Sequence, residues 1–242
     1  MAWKLLLCVL FGYLLGTINP AYIMGRLRGI DLRKKGSQNA GASNALILLG
    51  KFAAIFSAVF DIMKAAAAFW LAPLIFSKLP LAAEIAGVSA IVGHIFPFYM
   101  KFRGGKGTAC LGGVLLAIDW RLLLVLLAVE IVVALITDYL CMVPITAAVV
   151  LPVIYGVFGS DGLGWLLNAD GGWSGAAVLG LAMAVILLVN IKNIRRILHG
   201  TEMHFSYVWS KEKEKELARI RENQARWDKQ KEEKLARQAQ EQ

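Results

Sequence analysis

The chain has 242 residues, 58% of them hydrophobic and 18% charged, with a formal net charge of +9. That apolar content exceeds what a soluble core needs, so an ordinary water-soluble enzyme is excluded and an all-α polytopic membrane protein is expected. Three scattered cysteines (Cys8, Cys110, Cys141) and three histidines supply neither a disulfide framework nor a metal-ligand cluster, and no cofactor or nucleic-acid partner is expected.

The first expected span runs from Leu5 to Met24, weakened near its end by Asn19-Pro20. It is long enough to cross a bilayer and no small-residue cleavage site stands out, so it is taken as an uncleaved helix. Residues 25–51 are polar, glycine-rich and basic. Within them, Gly36 to Asn44 sets hydroxyls and amides (Ser37, Gln38, Asn39, Ser43, Asn44) between glycines at a membrane boundary. One Ser or Asn is enough to cap a following helix; this many polar groups fits a ligand with several oxygens.

The second span is expected from Phe52 to Phe76. It carries Asp61 and Lys64, spaced i, i+3 on one face, which must pair or meet a polar cavity because ionised groups in a span are costly. The third is expected from Leu81 to Phe98, with His94 near its end. The stretch from Gly93 to Thr108 follows and holds Lys101, Arg103 and Lys106 among Gly104, Gly105 and Gly107. Glycines admit positive φ and close approach of main-chain N–H groups, and Arg and Lys add a fork and a point charge for phosphate oxygens. It is not a nucleotide-type phosphate loop: Met100 stands at its first glycine, and Gly107 where Ser or Thr follows the lysine.

Thr108 to Ile118 is long enough only for a half-span, with Asp119-Trp120-Arg121 marking an interface. Leu122–Ile136, Leu140–Val157 and Ala176–Val189 complete the set, giving seven crossings, or six if the short segment is re-entrant. With seven, the basic loops and tail share one side, and Lys4, Lys78, Arg121 and the acidic loop Ser160–Gly172 the other. The positive-inside rule makes the basic side cytoplasmic, with the N-terminus outside and the C-terminus inside. Every loop with candidate chemistry then lies on the cytoplasmic face. After the last span come Asn193, Arg195, Arg196, His199, Gly200 and Glu202, in which Glu202 is suited to orient Arg196 or Lys106. The chain divides into a transmembrane part, 1–202, and a charged, helix-forming tail, 203–242. Leu217, Ile220, Trp227 and Leu235 form a sparse apolar stripe there. The default for that tail is a solvated helix over anionic headgroups, and removing residues 211–242 is expected to leave the chemistry intact.

These segments resemble the bacterial acyl-phosphate:glycerol-3-phosphate acyltransferases, the PlsY family, over roughly residues 5–202. Gly12 to Ile18 looks like the family's opening helix, and Ile30 to Asn44 is similar to its first motif. Asp61-Ile62-Met63-Lys64 matches an Asp-x-x-Lys element, Gly93 to Ala109 resembles the second motif, and Asn193-Ile194-x-Arg196 with Gly200-x-Glu202 resembles the third. Departures are Gln38 for a glycine, Ser43 for threonine, Ile47 for a phosphate-binding arginine, and Asn190 and Ile191 for a His and a basic residue.

The resemblance implies acyl transfer from acyl phosphate to the 1-hydroxyl of glycerol 3-phosphate, giving lysophosphatidic acid and phosphate, at a bacterial inner membrane with the site facing the cytoplasm. An acyl phosphate is already activated, so positioning and charge stabilisation suffice. Gly104, Gly105 and Lys106 are assigned to the phosphate cradle with Arg103 adjacent; Ser37, Asn39 and Asn44 to substrate oxygens; Asn193 and Arg196 to the anion site; and Glu202 to holding a cation. His94 is the candidate general base, with a substrate phosphate oxygen as the alternative. Membrane lipids are the remaining partners, and oligomeric state is left open. The rivals are a transporter or binding protein for a phosphorylated metabolite, and an acyl-CoA-dependent enzyme, whose His-x-x-x-x-Asp pair fails because Tyr99 follows His94 at that spacing.

Overall fold

The structure is a computed structural model describing residues 2–139, 141–158 and 172–202, and in the tail 204, 206, 215, 218–220, 222, 223, 225–227, 229, 230 and 233. Leu140 and residues 160–171 of the expected acidic loop lie outside the described residues, as do Leu217 and Leu235 of the expected apolar stripe. Its elements are α1 (Ala2–Thr17), α2 (Pro20–Leu27), α3 (Ala42–Leu49), α4 (Lys51–Ile75), α5 (Ala82–Ile95), α6 (Thr108–Ile118), α7 (Trp120–Thr137), α8 (Met142–Phe158) and α9 (Gly172–Leu198). All are helices.

The first span is broken. Pro20 opens α2, where its missing N–H is harmless, and Asn19 caps that helix by accepting the Tyr22 N–H at 2.9 Å. The two pieces are bent by 41°. A break inside a bilayer strands carbonyls that need donors. Here the Tyr99 hydroxyl donates to Thr17 O at 2.7 Å and Lys64 Nζ to Ile18 O at 2.5 Å.

Helix α1 lies against α5 through small residues. A Cβ on Gly12, Gly16 or Gly93 would overlap main-chain atoms of Ala86, Ala90 or Tyr13. A Cβ on Gly113 of α6 would meet the Ile62 carbonyl of α4 in the same way. Such contacts let helix backbones approach where lipid supplies no hydrophobic drive between them. Among the buried core residues are Cys8, Ala65, Ile91, Leu111, Leu179 and Ile186, from α1, α4, α5, α6 and α9. The outer faces remain apolar: Phe52 and Leu74, near the two ends of α4, are each 77% exposed, as befits a lipid-facing surface.

Among the described residues, Lys51–Ile75, Ala82–Met100 and Trp173–Leu198 are long and apolar enough to cross a membrane, and the bent α1–α2 pair makes a fourth. Helix α6, with 11 residues, spans only about 16 Å at ~1.5 Å per residue, the expected half-span. Two features depart from expectation. Helix α3 opens inside the first polar loop with Gly41 at its N-cap and no side-chain cap from Ser43 or Asn44, and Arg28 caps its end by donating to Leu49 O at 2.8 Å. Helix α9 runs on to Leu198, so Asn193, Arg195 and Arg196 sit on the last helix rather than after it.

Candidate active site

The first polar loop is built on Arg33 and Asn44. Arg33 grips Asp31 with Nε–Oδ1 at 2.9 Å and Nη2–Oδ2 at 2.8 Å, donates through Nη1 to Met100 O at 2.7 Å, and lies 4.9 Å over the Tyr22 ring. The bonded guanidinium holds the Asp31 carboxyl at about 2. Asn44 is fully buried: its Nδ2 lies within 3.0 Å of the carbonyls of Leu32, Lys35 and Asn39, and its Oδ1 accepts the Ser37 N–H. Its amide is therefore occupied by the loop, which corrects its assignment to substrate oxygens. Ser37 and Asn39 stay half-buried beside it, and the Ser37 hydroxyl makes no hydrogen bond among the described residues.

The glycine loop folds back on the end of α5. Gly104 N–H donates to Ile95 O at 2.9 Å and Gly105 N–H to His94 O at 3.1 Å, so both satisfy the last carbonyls of that helix. They are not free to cradle an anion, a second correction. The donors that remain are the main-chain N–H groups of Lys106, Gly107 and the first turn of α6, into which Gly107 (φ +83°) turns the chain. The two loops meet where Ala40 N–H approaches Gly104 O at 3.4 Å. Arg103, adjacent, is exposed.

His94 lies underneath. Its Nδ1 is 3.0 Å from Lys64 Nζ and 3.3 Å from Asp61 Oδ1, and Asp61 pairs with Lys64 at 2.6 Å, all three side chains being 2–3% exposed. Its Nε2 abuts Gly105, where a Cβ would overlap it. Both ring nitrogens are enclosed by protein, so His94 supports the glycine loop and is not positioned as a general base. Cys110 completes a group with Asp61 and His94 that has metal-ligand chemistry, but the Lys64 ammonium already occupies the carboxylate and a second cation is disfavoured there.

The third segment closes the site from α9. Lys106 is half-buried, and burial pushes its ammonium below the ordinary lysine range, opposed by Glu202 and Cys141 and reinforced by Arg196. Burial pushes the Glu202 carboxyl up, with Lys106 and Arg196 pulling it back, and Arg196 stands 3.9 Å from it. Cys141, in the turn between α7 and α8, is buried and pushed up to about 11, with Glu202 adding to the rise. Asn193 donates to Asn190 Oδ1 at 3.4 Å, and Asn190 Nδ2 to Ile186 O at 2.9 Å, so Asn190 braces Asn193. Ile47, at the position of the family's arginine, is 48% exposed on α3 and offers no polar group.

Lys106, Asn193, Arg196 and Glu202 are thus brought together, and the loop that carries Ser37 and Asn39 reaches the glycine loop through Ala40 and Gly104. Cys141 was missed, since a lone cysteine in an apolar run carries no pattern. Cations gathered in the loops beside a buried ion pair suit anionic groups and a developing negative charge.

A family model described as glycerol-3-phosphate acyltransferase matches residues 6–200. The glycerol-3-phosphate acyltransferase of Brucella anthropi is 38% identical over 198 residues, covering 80% of this chain and 90% of its own length. Among solved structures, PlsY (YgiH), an integral membrane glycerol 3-phosphate acyltransferase in its glycerol 3-phosphate form, is similar at a TM-score of 0.70 and 29% identity, over 84% of this chain and 96% of its own. Its lysophosphatidic acid form gives a TM-score of 0.68 at 28% identity, over 83% and 94%.

Proposed function

This chain belongs to the glycerol-3-phosphate acyltransferase family, the PlsY family, and we infer that it moves a fatty acyl group from acyl phosphate to the 1-hydroxyl of glycerol 3-phosphate. The observation that carries the reading is the convergence on Lys106 of Arg196 and Glu202 from the far end of the domain, in a chain whose similar structure was solved with glycerol 3-phosphate.

The acceptor oxygen attacks the acyl carbonyl, an ester C–O bond forms, the C–O bond of the mixed anhydride breaks, and phosphate departs. The hydroxyl proton passes to a phosphate oxygen, since the imidazole of His94 is enclosed. Lys106 and Arg196 meet the anionic groups, Glu202 holds those cations, and the N-terminus of α6 adds its dipole. Arg103 lies at the entrance. Ser37 and Asn39 orient acceptor oxygens, and Asn193 completes the anion site. Asn44, Gly104 and Gly105 act by positioning the loops. The acyl chain lies along the apolar helix faces.

We extend the reading to topology: seven crossings with α6 as the short one, the N-terminus outside, and the site facing the cytoplasm of a bacterial inner membrane. The basic loops support this, as does the position of Cys141 in the α7–α8 turn beside Glu202, which requires α6 and α7 to run away from the site and back.

The test is an acyl-transfer assay on purified protein with glycerol 3-phosphate and either palmitoyl phosphate or palmitoyl-CoA. Lysophosphatidic acid from the acyl phosphate alone, lost in Lys106→Ala, is expected. Product from the CoA ester, or none from either with folded protein, overturns it.

A further inference from the structure

The tail beyond the family-matched region touches the site segment along one face. Residues Arg219, Asn223 and Trp227 follow each other at intervals of four, which aligns them on a single helical stripe. Each meets a different part of residues 199–204. Trp227 stacks on His199 with ring centroids 4.3 Å apart and planes 23° from parallel. Asn223 Nδ2 donates to Gly200 O at 2.9 Å, and a Cβ on Gly200, itself at φ +64°, would lie 2.8 Å from that nitrogen. Arg219 Nη2 lies 3.2 Å from His204 Nε2.

A second set of contacts holds His204 and Ser206 to the end of α7. His204 Nδ1 is 3.2 Å from Asp138 Oδ2 and its Nε2 is 3.1 Å from the Tyr139 hydroxyl; Ser206 donates to Asp138 through its N–H at 2.7 Å and its hydroxyl at 2.8 Å. In sequence Glu202 lies between Gly200 and His204, both of which these contacts hold. Its N–H is held by Arg196 O at 3.2 Å, but its carboxylate stands 3.9 Å from the Arg196 guanidinium, too far for that pair alone to fix the side chain.

We propose that the tail helix is a positioning element of the active site: the stripe Arg219–Asn223–Trp227 clamps His199, Gly200 and His204 and thereby holds Glu202 against Lys106 and Arg196. On this proposal removing residues 211–242 lowers turnover, where the sequence alone led to the expectation that the chemistry stays intact. The effect on turnover rests on the acyl-transfer reading; the clamp itself does not.

The full-length protein therefore gives two readouts. One is the pH midpoint at which Lys106 is methylated by formaldehyde and a borane reductant, followed by mass spectrometry. The titratable and charged groups acting on Lys106 are Glu202, Arg196 and Cys141. Freeing Glu202 removes the carboxylate that favours the ammonium, so the midpoint falls in Asn223→Ala/Trp227→Ala. The other is acyl transfer, which drops about tenfold in kcat in that variant. Trp227→Phe keeps the stack and both values. Arg226→Ala, on the solvent side where that side chain is 67% exposed, also leaves both unchanged. In a Glu202→Gln background the tail substitutions add no further loss, because they act through the same carboxylate. An unchanged midpoint in Asn223→Ala/Trp227→Ala overturns the clamp, as does an additive loss on Glu202→Gln. A tail-dependent midpoint in a wild-type protein without acyl transfer supports the clamp and sinks the acyltransferase reading.

Discussion

Gly105 sits on the imidazole of His94, giving its N–H to the His94 carbonyl at 3.1 Å and leaving no room for a Cβ beside Nε2. Gly105→Ala must lift the turn that carries Lys106. Its kcat/KM is expected to fall by about 100-fold, since a displacement of roughly 1 Å in a positioning element has effects of that size. His94→Ala removes the obstacle, so Gly105→Ala should add little further loss in that background. Steady-state kinetics of the three variants checks this.

Lys106 sets the alkaline limit. Its cation is the required form and burial lowers its pKa, so the proton leaves at lower pH than from an ordinary lysine, near 10.4. The kcat/KM profile of the wild type should decline below that range. Lys106→Arg, if active, should remain flat there because a guanidinium does not titrate. A wild-type profile unchanged through pH 10.5 would contradict the assignment of the cation.

The buried pair of Asp61 and Lys64 should behave asymmetrically. Removing one partner, as in Asp61→Ala, strands the other in a dry site and is expected to destabilise by about 3–5 kcal/mol. Asp61→Leu with Lys64→Met should recover much of that, short of what is lost when Ile18 O has no donor. Thermal unfolding in detergent distinguishes the two.

Asp31 adds an acid-sensitive contact. Its folded pKa, about 2, lies below the ordinary value of 3.8, so its contribution is full above pH 4 and disappears as pH falls toward 2. Asp31→Asn should unfold at lower temperature than wild type at pH 6, and the difference should shrink at pH 3. Melting curves at the two values are enough.

The positions of the elements were legible because apolar runs are long and punctuated: α6 occupies Thr108–Ile118, the bounds its flanking Gly107 and Asp119 imply. The bend at Asn19-Pro20 was visible for the same reason. What hydrogen-bonds to what was not. That Gly104 and Gly105 give their N–H groups to α5 depends on the chain doubling back, which no residue-type pattern encodes. The use of Asn44 inside its own loop was hidden likewise, because an amide suits a carbonyl and a substrate oxygen equally. In the tail, attention to apolar spacing found Trp227 but passed over Asn223 and Arg219, whose contacts are polar.

The bend in the first span also constrains the order of assembly. The carbonyls of Thr17 and Ile18 depend on Tyr99 and Lys64, which leave the ribosome some 80 and 46 residues later. Until those partners arrive the break is short of donors in any shape, since Pro20 has no N–H to give the carbonyl four residues before it. Asn19 and Pro20 fix where the span bends, but α4 and the turn after α5 supply the donors that complete it, so the finished kink is a late event in biogenesis.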